Sequence, residues 1–351
     1  MFDLLRSVIP YISGFYTLPW IIVGFVLTWL LSRLFSPERV DATMKRIGLV
    51  LLYFFVAPLV FRFFLDTPLG IMEAEFVLVV IFSLGCLYGT AYLYAMRQIR
   101  KQGLEGAKRS LYLKTVLTNQ GRSSAFVGGI MFVVNAWAVP TAIYIAISGI
   151  ALFAVIPYIL HLMNARERRN LESEVHLPWF LRIYPFYFIT FVLSGVILQK
   201  TVGIKTSDLG DWGLLLRFYT TLTIPAALYY VGSGIHPRDM KKSELRKLVG
   251  IDQEDGEDHW LWVRQIFMLT AVWTPLIYGS LLGVLLALKV IPTQWFAVLV
   301  INTMLPITGT NMFLVPYGID KRATAHAITW STLICVPVVV ALIWFFSFYF
   351  G

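Results

Sequence analysis

Residues 118–129 read TNQGRSSAFVGG, a polar and glycine-rich stretch set inside a long apolar tract. From Val116 to Ala165 the chain carries one formal charge, Arg122, whose neighbours Asn119, Gln120, Gly121, Ser123 and Ser124 are polar or small. A guanidinium at the centre of a membrane helix costs roughly 2.5–3.5 kcal/mol on insertion scales. A chain that keeps one there needs either a use for the charge or a set of groups that replace water around it.

The membrane setting follows from composition. With 58% hydrophobic and 14% charged residues over 351 positions, and a mean hydropathy of +0.72, the chain is too apolar for a soluble domain. Its apolar tracts repeatedly approach the roughly 20 residues that a helix needs to cross a hydrocarbon core of about 30 Å. They are continuous rather than alternating, which excludes a transmembrane barrel. The expected fold is an all-α polytopic membrane protein of ten spans, near 10–33, 46–66, 75–97, 111–134, 136–162, 178–199, 211–235, 263–288, 292–316 and 323–350. The N-terminal tract lacks the basic leader, short apolar core and small-residue site of a cleaved signal.

Basic residues in short loops stay on the cytoplasmic side. Loops after odd-numbered spans, including Lys114 at the edge of the fourth, hold 20 Lys and Arg, against four on the other side: Arg6, Lys200, Lys205 and Lys289. Both termini are therefore expected outside the cytoplasm, in a bacterial-type plasma membrane. The net charge of +9 follows from this asymmetry and does not indicate a nucleic-acid partner. Cys86 and Cys335 fall inside spans without metal or redox spacing, and no HExxH, GxSxG or phosphate loop occurs. The reading is a non-enzyme without a cofactor.

An internal repeat organises the spans. Leu18-Pro19-Trp20 opens the first and Leu177-Pro178-Trp179 the sixth; Pro58 and Pro225 mark the second and seventh; Tyr88-Gly89-Thr90 and Tyr278-Gly279-Ser280 mark the third and eighth; Pro157 and Pro337 mark the fifth and tenth. Five spans per half is an odd number, so residues 166–351 enter the membrane from the side opposite to residues 1–165, and the repeat is inverted. The fourth span is then paired with the ninth, whose stretch LPITGTNMFLVPYG (305–318) breaks the apolar pattern with Pro306, Thr308, Gly309, Thr310 and Asn311. Proline removes a donor and glycine tolerates non-helical backbone. Both helices are expected to break and cross near the midplane, where only protein or a watery cavity can satisfy the exposed backbone.

At LPITGTNMFLVPYGIDKRATAHAITWSTLICVP (305–337) and IPAALYYVGSGIHP (224–237) the chain resembles the auxin efflux carrier (PIN-like) family, within the larger group of bile acid/sodium symporter-related transporters. The resemblance implies a scaffold of spans 1, 2, 6 and 7, a moving transport unit of spans 3–5 and 8–10, elevator-type transport of organic anions, and homodimers joined through the scaffold. The chain departs from the family's usual mostly neutral, Pro-containing fourth-span break in having Gly121-Arg122, so substrate identity does not carry over.

The candidate binding residues are Asn119, Gln120, Gly121, Arg122, Ser123 and Ser124 of the fourth span and Pro306, Thr308, Gly309, Thr310 and Asn311 of the ninth. Asn302, Tyr88 and Tyr278 are further candidates, the two tyrosines reading first as packing residues. Arg122 reads either as an anion ligand or as a strut bonded to carbonyls freed by the break. Arg62, Arg182 and Arg264 lie near helix ends and are expected to snorkel, with Arg217 intermediate. Residues 238–250 read as a basic amphipathic surface helix. The function expected is secondary or potential-driven transport of a small organic anion; a sodium-coupled symporter and a non-transporting sensor on the same fold are the alternatives. The coupling ion, sodium or proton, is open.

Overall fold

The computed structural model describes residues 2–12, 19–67, 70–122, 131, 134–168, 179–233, 242–251, 258–304, 314 and 317–350. Among them the chain is helical without strands. In order, the helices are α1 (Phe2–Val8), α2 (Pro19–Leu34), α3 (Pro37–Val50), α4 (Ala57–Asp66), α5 (Ile71–Gln102), α6 (Gly106–Asn119), α7 (Asn135–Ile150) and α8 (Ile156–Arg168). There follow α9 (Trp179–Val202), α10 (Gly210–Thr221), α11 (Thr223–Ser233), α12 (Lys242–Val249), α13 (Asp258–Phe267), α14 (Thr274–Ala287), α15 (Thr293–Met304) and α16 (Lys321–Phe350).

Four continuous helical stretches are long and apolar enough to cross a membrane: Ala42–Asp66, Ile71–Gln102, His259–Ala287 and Lys321–Phe350. They coincide with the second, third, eighth and tenth expected spans. Phe186–Val202 and Thr206–Tyr230 pass the same test as a pair bent by 84°, at a break holding Gly203 with φ +69°. Pro19–Leu34 and Ala136–Ile150 are shorter apolar helices. Large apolar side chains such as Leu93, Phe186, Trp344 and Phe348 are exposed. Such surface suits hydrocarbon rather than water, and the chain is an α-helical, membrane-embedded protein.

Three of the long helices contain a π-helical segment, and each is followed closely by a proline: Leu51–Val56 by Pro58, Ala151–Val155 by Pro157, and Met268–Trp273 by Pro275. A helical proline clashes with the carbonyl four residues earlier and has no N–H to offer it. In all three cases that carbonyl, of Phe54, Phe153 or Ala271, lies inside the π segment, where the wider turn relieves the clash. Thus the helices keep their course while single carbonyls lose their usual donors.

Among the described residues, packing pairs α2 with α11 and α4 with α9 more extensively than other helices. Small residues let membrane helices approach closely. A Cβ added to Gly24 would sit 2.0 Å from the Tyr229 carbonyl oxygen, and one on Gly232 1.9 Å from that of Ile21. The main apolar cluster joins α5, α7, α15 and α16 through residues such as Phe76, Trp137, Tyr144, Trp295 and Cys335. A second joins α4, α7 and α9 through Phe64, Ala146 and Phe188. Helix α7 therefore contributes one face to each cluster. The surface helix expected over 238–250 is described as α12, whose Leu248 is buried against Trp260, Val263 and Trp330.

Candidate functional site around Arg122

Helix α6 stops at Asn119 after 14 residues, and the described part of α15 runs from Thr293 to Met304. Helix α6 is too short to span a membrane and ends where the sequence places a breaker, Gly121, while α15 occupies the expected ninth span. The crossing expected of them, together with Ser123, Ser124, Pro306, Thr308, Gly309, Thr310 and Asn311, falls on positions outside the described residues.

The end of α6 is closed by its own side chains. Thr118 Oγ1 donates to the Lys114 carbonyl at 2.7 Å, and Asn119 Nδ2 to the Thr115 carbonyl at 2.8 Å. The Gln120 and Gly121 N–H groups continue in a tighter turn, donating three residues back to the carbonyls of Leu117 and Thr118. Short polar side chains compete for backbone partners in this way and favour helix ends. Asn119 also donates to Thr324 Oγ1 on α16 at 3.1 Å.

Arg122 follows directly and is 4% exposed. Its Nη2 donates to Gln120 Oε1 at 3.2 Å, and Gln120 Nε2 donates to Thr274 Oγ1 at 2.6 Å. Its Nη1 donates to the Thr270 carbonyl at 3.2 Å. That acceptor is available for a definite reason. The Thr274 N–H bonds to the Leu269 carbonyl, in the π register, so the donor due at Thr270 would be residue 275, which is proline. Arg122 thus satisfies the carbonyl orphaned by Pro275. The partial negative charge at the C-terminal end of α6 also favours a cation there.

These partners do not neutralise the guanidinium. The ionisable side chains within its electrostatic reach, among the described residues, are Tyr144, Cys335, Tyr88 and Tyr278, none of them a carboxylate. Its Nε is buried and has no acceptor among the described residues. On α15, Asn302 donates from Nδ2 to the Val298 carbonyl at 2.8 Å and contacts Met131 Sδ at 3.9 Å, while its buried Oδ1 accepts nothing from the described residues. Met131, Tyr144 and Cys335 belong to one apolar cluster. Tyr278 is buried within α14, and Tyr88 packs against the cluster of Leu152, Leu314 and Tyr317. Among the described residues no group of three or more His, Cys, Asp or Glu could hold a metal ion.

Sequence reasoning counted Lys114 with the loop charges, and the structure corrects this. Lys114 is 3% exposed, with Nζ donating to Asn164 Oδ1 at 2.5 Å. Asn164 Nδ2 donates in turn to the Tyr317 carbonyl at 2.9 Å. The Asp320 N–H donates to Thr115 Oγ1 at 2.9 Å, and Asp320 caps α16 by accepting from the Ala323 N–H. Gly318, at φ +81°, makes the turn against Lys114 and Asn164. The polar face of α6 is thereby tied to the end of α8 and to the entry of α16. Thr270 and Thr274 also escaped the sequence reading, although Pro275 beside them marks a carbonyl without its donor.

The arrangement is a buried cation held, among the described residues, by neutral groups at the C-terminal end of α6. Chemically it can receive an anion. Comparison of the chain with known protein families and with curated proteins finds no match.

Proposed function

We propose that this protein is a secondary or potential-driven carrier of a small organic anion, built as ten spans in two inverted five-helix repeats and related to the auxin efflux carrier family. In this reading spans 1, 2, 6 and 7 are a scaffold, through which two copies join, spans 3–5 and 8–10 move as a transport unit, and both termini lie outside the cytoplasm. The packing supports the repeat. Exchanging first for sixth and second for seventh turns the α2–α11 pair into the α9–α4 pair, and among the described residues these are the two most extensive helix contacts. The third–fourth pair α5–α6 likewise exchanges into the eighth–ninth pair α14–α15, also in contact.

The observation that carries anion selectivity is Arg122 itself, buried without a described carboxylate in reach and with an Nε–H left over. A buried charge without its partner is costly, and a substrate carboxylate lowers that cost on binding. A hydrogen bond to a charged group contributes about 1.5–3 kcal/mol. Arg122→Gln should therefore weaken anion binding by roughly 10- to 150-fold, while Arg122→Lys, which keeps the charge but not the planar fork, should lose less. The test is uptake of candidate carboxylates into proteoliposomes, with and without sodium and a pH gradient, alongside the thermal stability of each variant. Unchanged binding with a lowered Tm in Arg122→Gln would make Arg122 a strut and end the anion assignment.

A further inference from the structure

A second cationic site lies away from Arg122, at the end of the bundle where α4 stops and α10 begins. A cavity of about 600 Å³ there is lined by Arg6, Arg62, Lys205 and Arg217, with Asp66 as the one carboxylate among its described lining residues. One oxygen of Asp66 accepts from the Thr206 N–H at 2.8 Å, which fixes the loop ahead of α10 over the end of α4. The same loop sits so close to α10 that a Cβ on Gly213 would lie 1.9 Å from the Thr206 carbonyl oxygen.

The site is built rather than incidental. Arg62 is half-buried and anchored through Nη1 to the Arg217 carbonyl at 3.2 Å and to Thr221 Oγ1 at 3.4 Å, which orients its guanidinium. Its Nε is nonetheless buried without an acceptor among the described residues, and the hydroxyl of Thr206, a residue 6% exposed, is likewise without a partner among them. The sequence has Arg62 near a helix end, four residues before Asp66, and able to snorkel; the structure brings it to a cavity shared with three other cations. Beside them Phe63, Val139 and Leu214 provide an apolar wall.

We propose that this cavity binds a phosphate-bearing anion, its phosphate among the four cations and its carbon portion against the apolar wall. Four cations against one carboxylate leave a large positive excess, and the tetrahedrally arranged oxygens of a phosphate can meet cations from several sides, where a carboxylate offers two coplanar oxygens. Three of the four cations are guanidiniums, whose fork geometry suits phosphate. The volume exceeds that of a free phosphate and leaves room for an organic group. The phosphate can come from a soluble ester or from the headgroup of an acidic phospholipid. Within the orientation proposed above the cavity opens on the extracytoplasmic side, but its chemistry does not depend on transport.

The experiment uses full-length protein in phosphatidylcholine nanodiscs, titrated with glycerol 1-phosphate, and in parallel nanodiscs containing phosphatidylglycerol, with Tm as the first readout and calorimetric binding as the second. Arg217→Gln is the main variant because its side chain is exposed, and Lys205→Gln is the second. A soluble source predicts that glycerol 1-phosphate raises the wild-type Tm and binds Arg217→Gln roughly 10- to 150-fold more weakly. A lipid source predicts that only phosphatidylglycerol raises Tm, with the rise reduced in both variants. Either result should persist in the Arg122→Gln background, which separates this site from the proposed transport site. The proposal is overturned if neither probe distinguishes wild type from the variants, or if acetate displaces glycerol 1-phosphate at equal concentration.

Discussion

Lys114 and Arg122 lie on one short stretch of chain, are almost equally buried, and differ in what surrounds them. Lys114 is a knot: its ammonium bonds to Asn164, which bonds to the Tyr317 carbonyl, while adjacent Thr115 receives the Asp320 N–H. Arg122 is held by two bonds, to a side-chain amide and to a carbonyl that Pro275 leaves without a donor, and among the described residues its Nε–H stays unpaired. Burial alone does not tell a structural cation from a binding one. The count of unused donors does, because an unsatisfied buried donor costs free energy that a ligand can recover.

The strongest way to break this comparison is to give Arg122 a counter-ion of its own. Gln120 Oε1 already accepts from Nη2 at 3.2 Å, and Gln120→Glu keeps the shape while adding a negative charge. Opposite charges about 4 Å apart at an effective dielectric near 20 attract by about 4 kcal/mol. An anionic substrate must then compete with an internal carboxylate, so its affinity should fall on the order of 100-fold or more, with folding intact. Equilibrium binding of the transported anion to purified protein is the measurement. Retained affinity in Gln120→Glu would mean that the anion does not meet this guanidinium.

The opposite outcome is expected for Lys114. Lys114→Met preserves length and apolar volume but leaves Asn164 Oδ1 without its donor, which should destabilise the fold by about 1–3 kcal/mol. Substrate affinity per folded molecule should remain within about two-fold, since a change of about 1.4 kcal/mol in binding would already be tenfold. A drop in affinity with an unchanged Tm would reverse the roles assigned to the two cations.

How much of this was legible in the sequence depended on the kind of signal. The long apolar helices were readable because length and hydropathy are local properties, and the early end of α6 because Gly121 is a local breaker. Arg122 stood out as one charge in an apolar tract. Lys114 did not, because it follows Lys108 and Arg109 and looks like the tail of a basic loop. What buries it, Asn164 and the turn at Tyr317 and Gly318, comes from distant parts of the chain. Arg62 and Arg217 were each visible but not as a pair, since only the bend between α9 and α10 brings them to one cavity. The Thr270 carbonyl was hardest to see, because a backbone acceptor has no letter of its own.

That carbonyl offers the smallest and sharpest test. Thr274 donates to Leu269, so continuing the same register would direct an N–H at residue 275 to Thr270. Pro275→Ala supplies that N–H. The Thr270 oxygen has two lone pairs and can accept from both the new backbone donor and Arg122, but its share for the guanidinium falls. The ring's clash with the preceding turn is also removed, and a turn that relaxes to the α register brings the Thr274 N–H to the same Thr270 oxygen, so that oxygen gains a backbone donor in either register. Arg122 should therefore be held less firmly without losing its charge. A neutral hydrogen bond contributes about 0.5–1.5 kcal/mol, so substrate affinity should weaken only a few-fold, roughly 2- to 10-fold, while the Tm stays level or rises as the helix regains a donor. Weaker binding together with undiminished stability would tie the proline to the site. An affinity equal to wild type would show that the orphaned carbonyl does not position Arg122, leaving Gln120 as its brace.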